Sequence, residues 1–245
     1  MELLALTVSA PVASFRRPLD LNYQRTLLLP PPTTLIGLAG AALGLSDRDL
    51  WSSGGPLHEL KVSALLQPSV RTGGAPGAAR DMWSVLKVKS NRIAPERSPY
   101  FRELLFFARY TLLYGGSQEL LEALSEAFCD PVYPLSLGRE DELLWVEGVP
   151  EIIALAPAEC HRFSGTVVPG DIRYLEIQVA LEEGIRIEPP VVETLPMGFV
   201  VNKKGVRTPV GRAPFTFLPL SLSLEIKGIQ PVYVYRGRCF TWMNP

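Results

Sequence analysis

Three consecutive prolines at positions 30–32 separate an extended segment from a helix near the start of this chain. Proline has no backbone N–H and a fixed φ, and it favours extended backbone in the residue before it, so a preceding strand-like run ends here. The hydroxyl of Thr33 or Thr34 is suited to cap a helix by accepting a hydrogen bond from a backbone N–H in its first turn. The run therefore predicts a helix over 34–45.

The start of that helix has the features of an anion site. Its small residues recur at three- and four-residue spacing, which leaves one face nearly flat: Gly37, Gly40, Ala41 and Gly44. An arginine cluster precedes it: Arg16, Arg17 and Arg25. Because unpaired N–H groups at a helix N-terminus attract anions, a phosphate chain is the first candidate ligand. The alternative is that the small residues only permit close packing on a sheet.

The net charge of −1 conceals an uneven distribution along the chain. Residues 61–109 carry nine Lys and Arg against three Asp and Glu, whereas residues 110–245 carry eleven against seventeen. A local excess of positive charge is what a polyanion-binding surface requires. A solvated basic loop is the alternative interpretation of the same segment.

Hydrophobic patterning predicts an α+β fold. Residues 3–10 and 102–114 read as strands, and Gly115-Gly116 ends the second of them. Ser117 caps a helix over 118–128 with leucines at helical spacing. Residues 60–67 and 83–88 read as two arms of a hairpin around the Gly/Ala-rich loop 71–80. This order over residues 1–148 predicts a ferredoxin-like domain of the kind found in RRM-type RNA binders, with a protruding β-hairpin at about 60–100.

Residues 149–245 are predicted to be β-rich and to pack on the first part, because no flexible linker separates the two. Five short strands are expected here, separated by Pro, Gly and charged turns: 152–155, 172–180, 191–201, 218–224 and 232–235. The apolar stretch 27–45 is interrupted by prolines and is too short to span a membrane. With no signal-like leader, a soluble cytoplasmic protein without a membrane partner is expected.

Cysteine and histidine usage predicts neither a disulfide framework nor a metal site. Cys129, Cys160 and Cys239 are odd in number and far apart, with no CxxC spacing, and the chain has two histidines. Each cysteine is expected to be a small buried hydrophobe. No cofactor is predicted.

Three segments carry a resemblance to a known family: PPPTTLIGLAGAALG at 30–44, RELLFFARYTLLYGG at 102–116 and PVYPLSLGREDEL at 131–143. In combination and in this order they resemble the Cas-five family, the RNA-binding RAMP subunits of type I CRISPR surveillance complexes, called Cascade. The resemblance covers roughly the first 145 residues. It implies that the hairpin is a thumb leaning over the 5′ handle of the guide RNA, with Arg71, Arg80, Lys87 and Lys89 facing phosphates.

Further contacts to RNA are predicted from the residues themselves. Trp83 is suited to stack on a base, although an ordinary core position is the alternative. Gly138 lets a backbone or a base approach closely, and Arg139 supplies a phosphate or base-edge contact. The complete predicted RNA-binding set is Arg16, Arg17, Arg25, Thr33, Thr34, Arg71, Arg80, Trp83, Lys87, Lys89, Arg92, Gly138 and Arg139.

Two functional classes compete. The first is a non-catalytic subunit for antiviral defence that caps the 5′ handle of a CRISPR RNA and docks the backbone and large subunits of Cascade, meeting target DNA indirectly. The second is a metal-independent endoribonuclease, which needs a base and an acid and, in the cutting branch of the family, uses a tyrosine and an adjacent lysine–histidine pair. Lys87-Val88-Lys89 contains no histidine, which leaves Tyr23 with Lys87 or His58 as the catalytic alternative. A third class, an unrelated small-molecule enzyme, is disfavoured. The chain contains no Walker loop, no Rossmann glycine set and no nucleophile motif.

Overall fold

The computed structural model of the protein describes residues 1–89, 92–180 and 188–244, without the side chains of residues 89 and 180. In chain order its strands are β1 (Glu2–Ala13), β2 (Tyr23–Gln24), β3 (Lys61–Gln67), β4 (Gly77–Lys89), β5 (Arg92–Gly116), β6 (Trp145–Ala154), β7 (Arg162–Phe163), β8 (Val167–Pro169), β9 (Glu176–Ala180), β10 (Val191–Val201), β11 (Arg207–Phe217), β12 (Ser223–Lys227), β13 (Tyr233–Tyr235) and β14 (Arg238–Phe240). Its helices are α1 (Pro32–Leu43), α2 (Asp47–Leu50) and α3 (Gln118–Cys129). The expected mixed α+β class is confirmed, with strand in clear excess over helix.

The central sheet is antiparallel and runs in the order β6-β1-β5-β3. Strand β1 is apolar on both faces because both faces are covered. Leu4 and Leu6 belong to the core shared with α1 and α3, whereas Leu3 packs with Phe240 and Trp242 from the end of the chain. Residues from the C-terminal part therefore cover the face of the sheet opposite the helices.

Helix α1 begins where the prolines end, but its cap differs from the one predicted. The N-cap is Pro31, and neither Thr33 nor Thr34 caps the helix through its side chain. Part of the small face packs inside the protein, since a Cβ on Gly40 would lie 2.8 Å from Cδ1 of Leu50, whereas a Cβ on Gly37 would meet nothing within 4 Å. Helix α3 is capped as expected by the Ser117 hydroxyl, which accepts from the Leu120 N–H at 3.4 Å.

A two-stranded ribbon, built from residues 77–89 and 92–106, extends the sheet beyond its central strands. It consists of β4 and the first half of β5, whose second half pairs with β1 and β3. The predicted pairing of arms 60–67 and 83–88 around a tip at 71–80 is therefore wrong. Strand β3 pairs with residues 109–115 of β5, and residues 83–88 pair with the stretch 93–100. The sequence pattern predicts that a segment is a strand. Which strand it pairs with depends on the register of the whole sheet.

The C-terminal part contains small antiparallel sheets, in the orders β10-β11-β8, β7-β12-β9 and β13-β14. Strand β10 has the predicted bounds, whereas the stretch 172–180 starts with a 3₁₀ turn at Ile172–Tyr174 before β9. The strand predicted at 218–224 lies instead at β12, and β11 was missed. Pro209, Gly211 and Pro214 obscure the strand pattern of β11.

The cysteine predictions are corrected in two places. Cys160 and Cys239 lie with their sulfur atoms in bonding contact and their Cα atoms 6.1 Å apart, a pairing across 79 residues of sequence. Cys129 is exposed rather than buried. Within the described ranges, no helix is long and apolar enough to cross a membrane.

Candidate nucleic-acid interface

A cleft at the start of α1 brings together five of the predicted site residues from three separate segments. We call it the α1 cleft; it has a volume of about 470 Å³. The predicted residues that line it are Arg16, Thr33, Thr34, Gly138 and Arg139. Its remaining walls include Gln24 from β2 and Leu195, Pro196 and Phe199 from β10. Sequence reasoning missed these four, because nothing in the local sequence of β2 or β10 indicates that these strands lie beside α1.

The loop that carries Gly138 and Arg139 is held by a buried carboxylate. Glu142 accepts hydrogen bonds from the Ser14 N–H at 2.8 Å, the Ser14 hydroxyl at 2.6 Å and the Arg139 N–H at 3.1 Å. Gly138 has φ +118°, and a Cβ there would lie 1.9 Å from the Ser14 carbonyl oxygen. The close approach that Gly138 permits is thus made by the chain's own backbone, at the end of β1.

Arg139 and Arg16 are the cations that the α1 cleft presents. The Arg139 guanidinium donates to Oε1 of Gln24, which ties the loop to the strand beside the ribbon. Arg16 is exposed, and its backbone pairs with Thr26. In the part of the chain that the structure describes, neither guanidinium has an ion-pair partner. Both therefore retain donors for an anion in the cleft.

Arg17 and Arg25 are already neutralised by carboxylates. Arg17 Nε contacts Oε2 of Glu193 at the start of β10, and Arg25 makes a bidentate pair with Asp20 at 2.7 and 3.2 Å. These two arginines fix the loop 16–25 against neighbouring elements. Their charge is compensated within the fold, and their predicted contact with RNA stays a prediction.

The N-terminus of α1 offers fewer amide donors than expected. Pro31 and Pro32 have no N–H, and the Thr34 N–H donates to the Pro31 carbonyl at 3.0 Å. The donors that α1 adds to the cleft are therefore the Thr33 N–H and the hydroxyls of Thr33 and Thr34, both of which are half-buried. The helix end therefore adds a few hydrogen-bond donors to those of the arginines, and it does not present a row of free amides.

At the base of the ribbon, Arg80 belongs to a small polar and aromatic cluster. Its guanidinium lies 3.5 Å from Glu103 and 5.4 Å from the ring centroid of Tyr23. The Tyr23 hydroxyl donates to Glu103 at 2.9 Å. Arg80 remains more than two-thirds exposed, so it is partly compensated but still reachable by a ligand.

Trp83 lies on the ribbon surface, and the core position considered for it is wrong. Its side chain is 45% exposed, and its indole N–H donates to Asp81 at 2.8 Å. The guanidinium of Arg102 lies 3.8 Å from the ring centroid and pairs with Asp81 at 2.6 Å. One face of the indole is therefore covered by Arg102, which leaves the other face for a stacked base.

The other predicted residues lie along the ribbon or before it. Arg71 is exposed in the turn preceding β4, with its guanidinium 5.1 Å from the centroid of Phe107. Lys87 and Arg92 are exposed near the far end of the ribbon, whereas the Lys89 side chain lies outside the described residues. The predicted set thus divides into a group around the α1 cleft and a group on the ribbon.

The catalytic alternative is not assembled into one place. Tyr23 lies at the base of the ribbon, Lys87 lies near its far end, and His58 lines separate clefts that contain neither of them. Desolvation and the Glu103 carboxylate raise the pKa of the Tyr23 phenol above its usual value of 10.0. A raised pKa disfavours the phenolate that a tyrosine base requires.

Because carboxylates around the interface are ion-paired, we expect the stability of the fold to decrease at low pH. The Arg102 side chain lowers the pKa of Asp81 below its usual 3.8, and Arg25 does the same for Asp20. Because these pKa values are lower in the folded chain, their stabilisation is present above the unfolded value and is lost as pH falls through the folded value. We expect the free energy of unfolding, measured with urea, to decrease as pH falls below about 4. The variant Asp81→Asn should show a smaller decrease, and an identical decrease would contradict the assignment.

Comparison with known proteins places this geometry in context. A family model described as "CRISPR-associated protein (Cas_Cas5)" matches residues 3–168. No curated protein matches the chain. The solved "Crystal structure of Cas protein" is 25% identical over 58% of this chain and 58% of that chain, with a TM-score of 0.38.

Two further solved structures align along most of the chain. A chain of a "CRISPR RNA-guided surveillance complex" is 16% identical over 90% of this chain and 92% of its own, with a TM-score of 0.49. A chain of the Type III-B Cmr-beta complex bound to cognate target RNA and AMPPnP is 10% identical, covers 92% of this chain and 86% of its own, and has a TM-score of 0.53. The last similarity shows a shared fold.

Proposed function

The chain belongs to the CRISPR-associated Cas-five family, and on that premise we propose that it is a non-catalytic CRISPR RNA-binding subunit of a type I Cascade complex. In this role it caps the 5′ handle of the guide RNA and docks the backbone RAMP subunit and the large subunit. Target DNA is met indirectly, through the guide. The process served is antiviral defence.

The observation that carries the proposal is the α1 cleft. Segments around residues 16, 33 and 139 converge there, and they present two guanidiniums that form no ion pair within the described ranges, beside half-buried hydroxyls. Guanidinium and hydroxyl donors are the usual partners of phosphate oxygens. A cleft with such donors is suited to hold the backbone of a single strand at a defined position.

The topology supports a ferredoxin-like domain with a thumb. The chain order β1-α1-β3-β5-α3-β6, with sheet order β6-β1-β5-β3 and α1 and α3 sharing a core against β1, is the order expected of that arrangement. The ribbon, inserted between β3 and the central half of β5, takes the place of the thumb. We propose that its exposed cations, Arg80, Lys87 and Arg92, contact phosphates while Trp83 offers a stacking face.

The non-catalytic part of the proposal rests on the dispersed positions of Tyr23, His58 and Lys87. Cleavage through a ribose 2′-hydroxyl needs a base and an acid within hydrogen-bond reach of the same phosphodiester. Among the described residues, Tyr23 lines a cleft at the base of the ribbon, whereas His58 lines two other clefts. No observation on the molecule favours the endoribonuclease over the binding subunit.

The test is equilibrium binding of labelled single-stranded repeat RNA to the full chain at several salt concentrations, with a chelator present. The double variant Arg16→Ala/Arg139→Ala should bind at least about tenfold more weakly and lower the salt slope by about 1.4, since each phosphate contact on a single strand contributes about 0.7. The control Arg162→Ala/Lys227→Ala removes equal charge from exposed ion pairs on the β7-β12-β9 sheet. Equal affinities of the double variant and the control would refute the α1 cleft, and cutting of the repeat within the assay would refute the non-catalytic role.

A further inference from the structure

A second basic arm lies in the part of the chain that is acidic on average. Residues 194–217 contain four Lys and Arg and no Asp or Glu. They form most of the β10–β11 hairpin, paired from Val191 opposite Phe217 to Val201 opposite Arg207. Side chains from 202 to 212 are exposed. The whole-chain charge conceals this arm as it conceals the basic segment at 61–109.

The tip of the β10–β11 hairpin holds its two lysines in a defined turn. The Asn202 side-chain oxygen accepts from the Lys204 N–H at 2.8 Å and from the Val206 N–H at 3.0 Å. Gly205 has φ +78°, and its N–H donates to the Asn202 carbonyl at 3.0 Å. Lys203 and Lys204 are therefore presented from an ordered turn, with both side chains exposed.

The foot of the hairpin adjoins the α1 cleft. Pro196 lines that cleft and pairs with Arg212 on the neighbouring strand. Phe199 lines it too, as well as a second cleft of about 790 Å³ between α2 and the hairpin. The Phe199 ring packs edge-on against Trp51 at 5.1 Å and lies 5.5 Å from the Arg207 guanidinium. A half-buried aromatic ring thus stands between two clefts on the line from the α1 cleft to the hairpin tip.

We propose that the β10–β11 hairpin is a second RNA-contacting arm, along which the strand held in the α1 cleft continues. Arg212 contacts phosphate at the foot, Phe199 offers a stacking surface, and Lys203 and Lys204 contact phosphate at the tip. From Arg212 to Arg207 the strand rises about 17 Å, which is room for a few extended nucleotides. Basic side chains interleaved with an aromatic ring are the common means of binding single strands without sequence preference. This inference rests on the proposed function, because it extends the path of the same RNA.

The test compares Lys203→Ala/Lys204→Ala with the charge-matched control Arg162→Ala/Lys227→Ala in binding of labelled single-stranded repeat RNA. The hairpin variant should bind about three- to tenfold more weakly and lower the salt slope by about 1.4, whereas the control should match the wild type. RNA carrying 4-thiouridine should crosslink to a peptide that contains Phe199 or the hairpin tip. Thermal unfolding of the variant should be unchanged, because both lysines are exposed.

The outcomes separate the two proposals. If Arg16→Ala/Arg139→Ala weakens binding but the lysine variant binds like the control and no hairpin peptide crosslinks, the second arm is refuted and the RNA-binding function stands. If neither variant weakens RNA binding, both the second arm and the proposed RNA-binding function are refuted. If the lysine variant keeps full RNA affinity but loses a co-purifying protein subunit, the arm docks protein instead and the inference is overturned.

Discussion

Replacing Gly138 by alanine is expected to lower the free energy of unfolding by about 3 kcal/mol or more, because two costs coincide at this position. Its φ of +118° is a conformation that side-chain-bearing residues rarely adopt, and the new Cβ would lie 1.9 Å from the Ser14 carbonyl oxygen and 2.6 Å from Oε2 of Glu142. To relieve this steric clash, either the end of β1 or the buried Glu142 must move. The loop that presents Arg139 moves with them, so RNA affinity should fall as well.

Gly148 supplies the matched control for this prediction. It also has a positive φ, +71°, but a Cβ there would meet nothing within 4 Å. Gly148→Ala should therefore cost only the backbone term of about 1 kcal/mol. Urea denaturation of the two variants measures the difference. Equal destabilisation would show that the contact between Gly138 and Ser14 is unimportant.

Arg102→Ala is expected to destabilise the protein by about 2 kcal/mol, since it removes a buried guanidinium and leaves the half-buried Asp81 without its partner. The Arg102 side chain is 8% exposed, makes two hydrogen bonds to Asp81 at 2.6 and 3.0 Å, and covers one face of Trp83. The pKa of Asp81 is lowered chiefly by this arginine, which agrees with a strong pair. Without it, Trp83 loses the group that orients it on the ribbon.

The ion pair between Arg80 and Glu103, which lies next to the Arg102–Asp81 pair on the ribbon, provides the comparison. Arg80 pairs with Glu103 at 3.5 Å, but its side chain is 68% exposed, so Arg80→Ala should change the unfolding free energy by less than about 1 kcal/mol. Its effect should instead appear in RNA affinity and in the salt slope. Urea denaturation and RNA binding of both variants make the check. A large stability loss for Arg80→Ala, or none for Arg102→Ala, would reverse the assignment of structural and binding roles on the ribbon.

Local chemistry was sufficient to predict several elements of the fold. The proline run ends one segment and begins α1, the Ser117 hydroxyl caps α3, and the alternating stretch at 191–201 is a strand with those bounds. Such features depend on contacts within a few residues, which the sequence displays directly. The family resemblance, carried by three short segments, is confirmed by the match over residues 3–168.

Strand partners and the charge state of the arginines were decided only by the tertiary structure. The arms predicted to form the hairpin have different partners, because a period of two identifies a strand but not the strand beside it. Arg17 is ion-paired with Glu193, which is 176 residues away in the sequence, whereas Arg16 beside it has no ion-pair partner among the described residues.

The α1 cleft likewise combines features that the sequence determines with features that only the fold determines. The sequence by itself marked Arg16, Thr33 and Arg139 as suited to bind phosphate, because the chemistry of a side chain is local. Their convergence, and the addition of Phe199 from β10, required the folded chain to bring together segments more than 180 residues apart. Long-range packing selects which of many possible donors share one site, and no local pattern in the sequence encodes that selection.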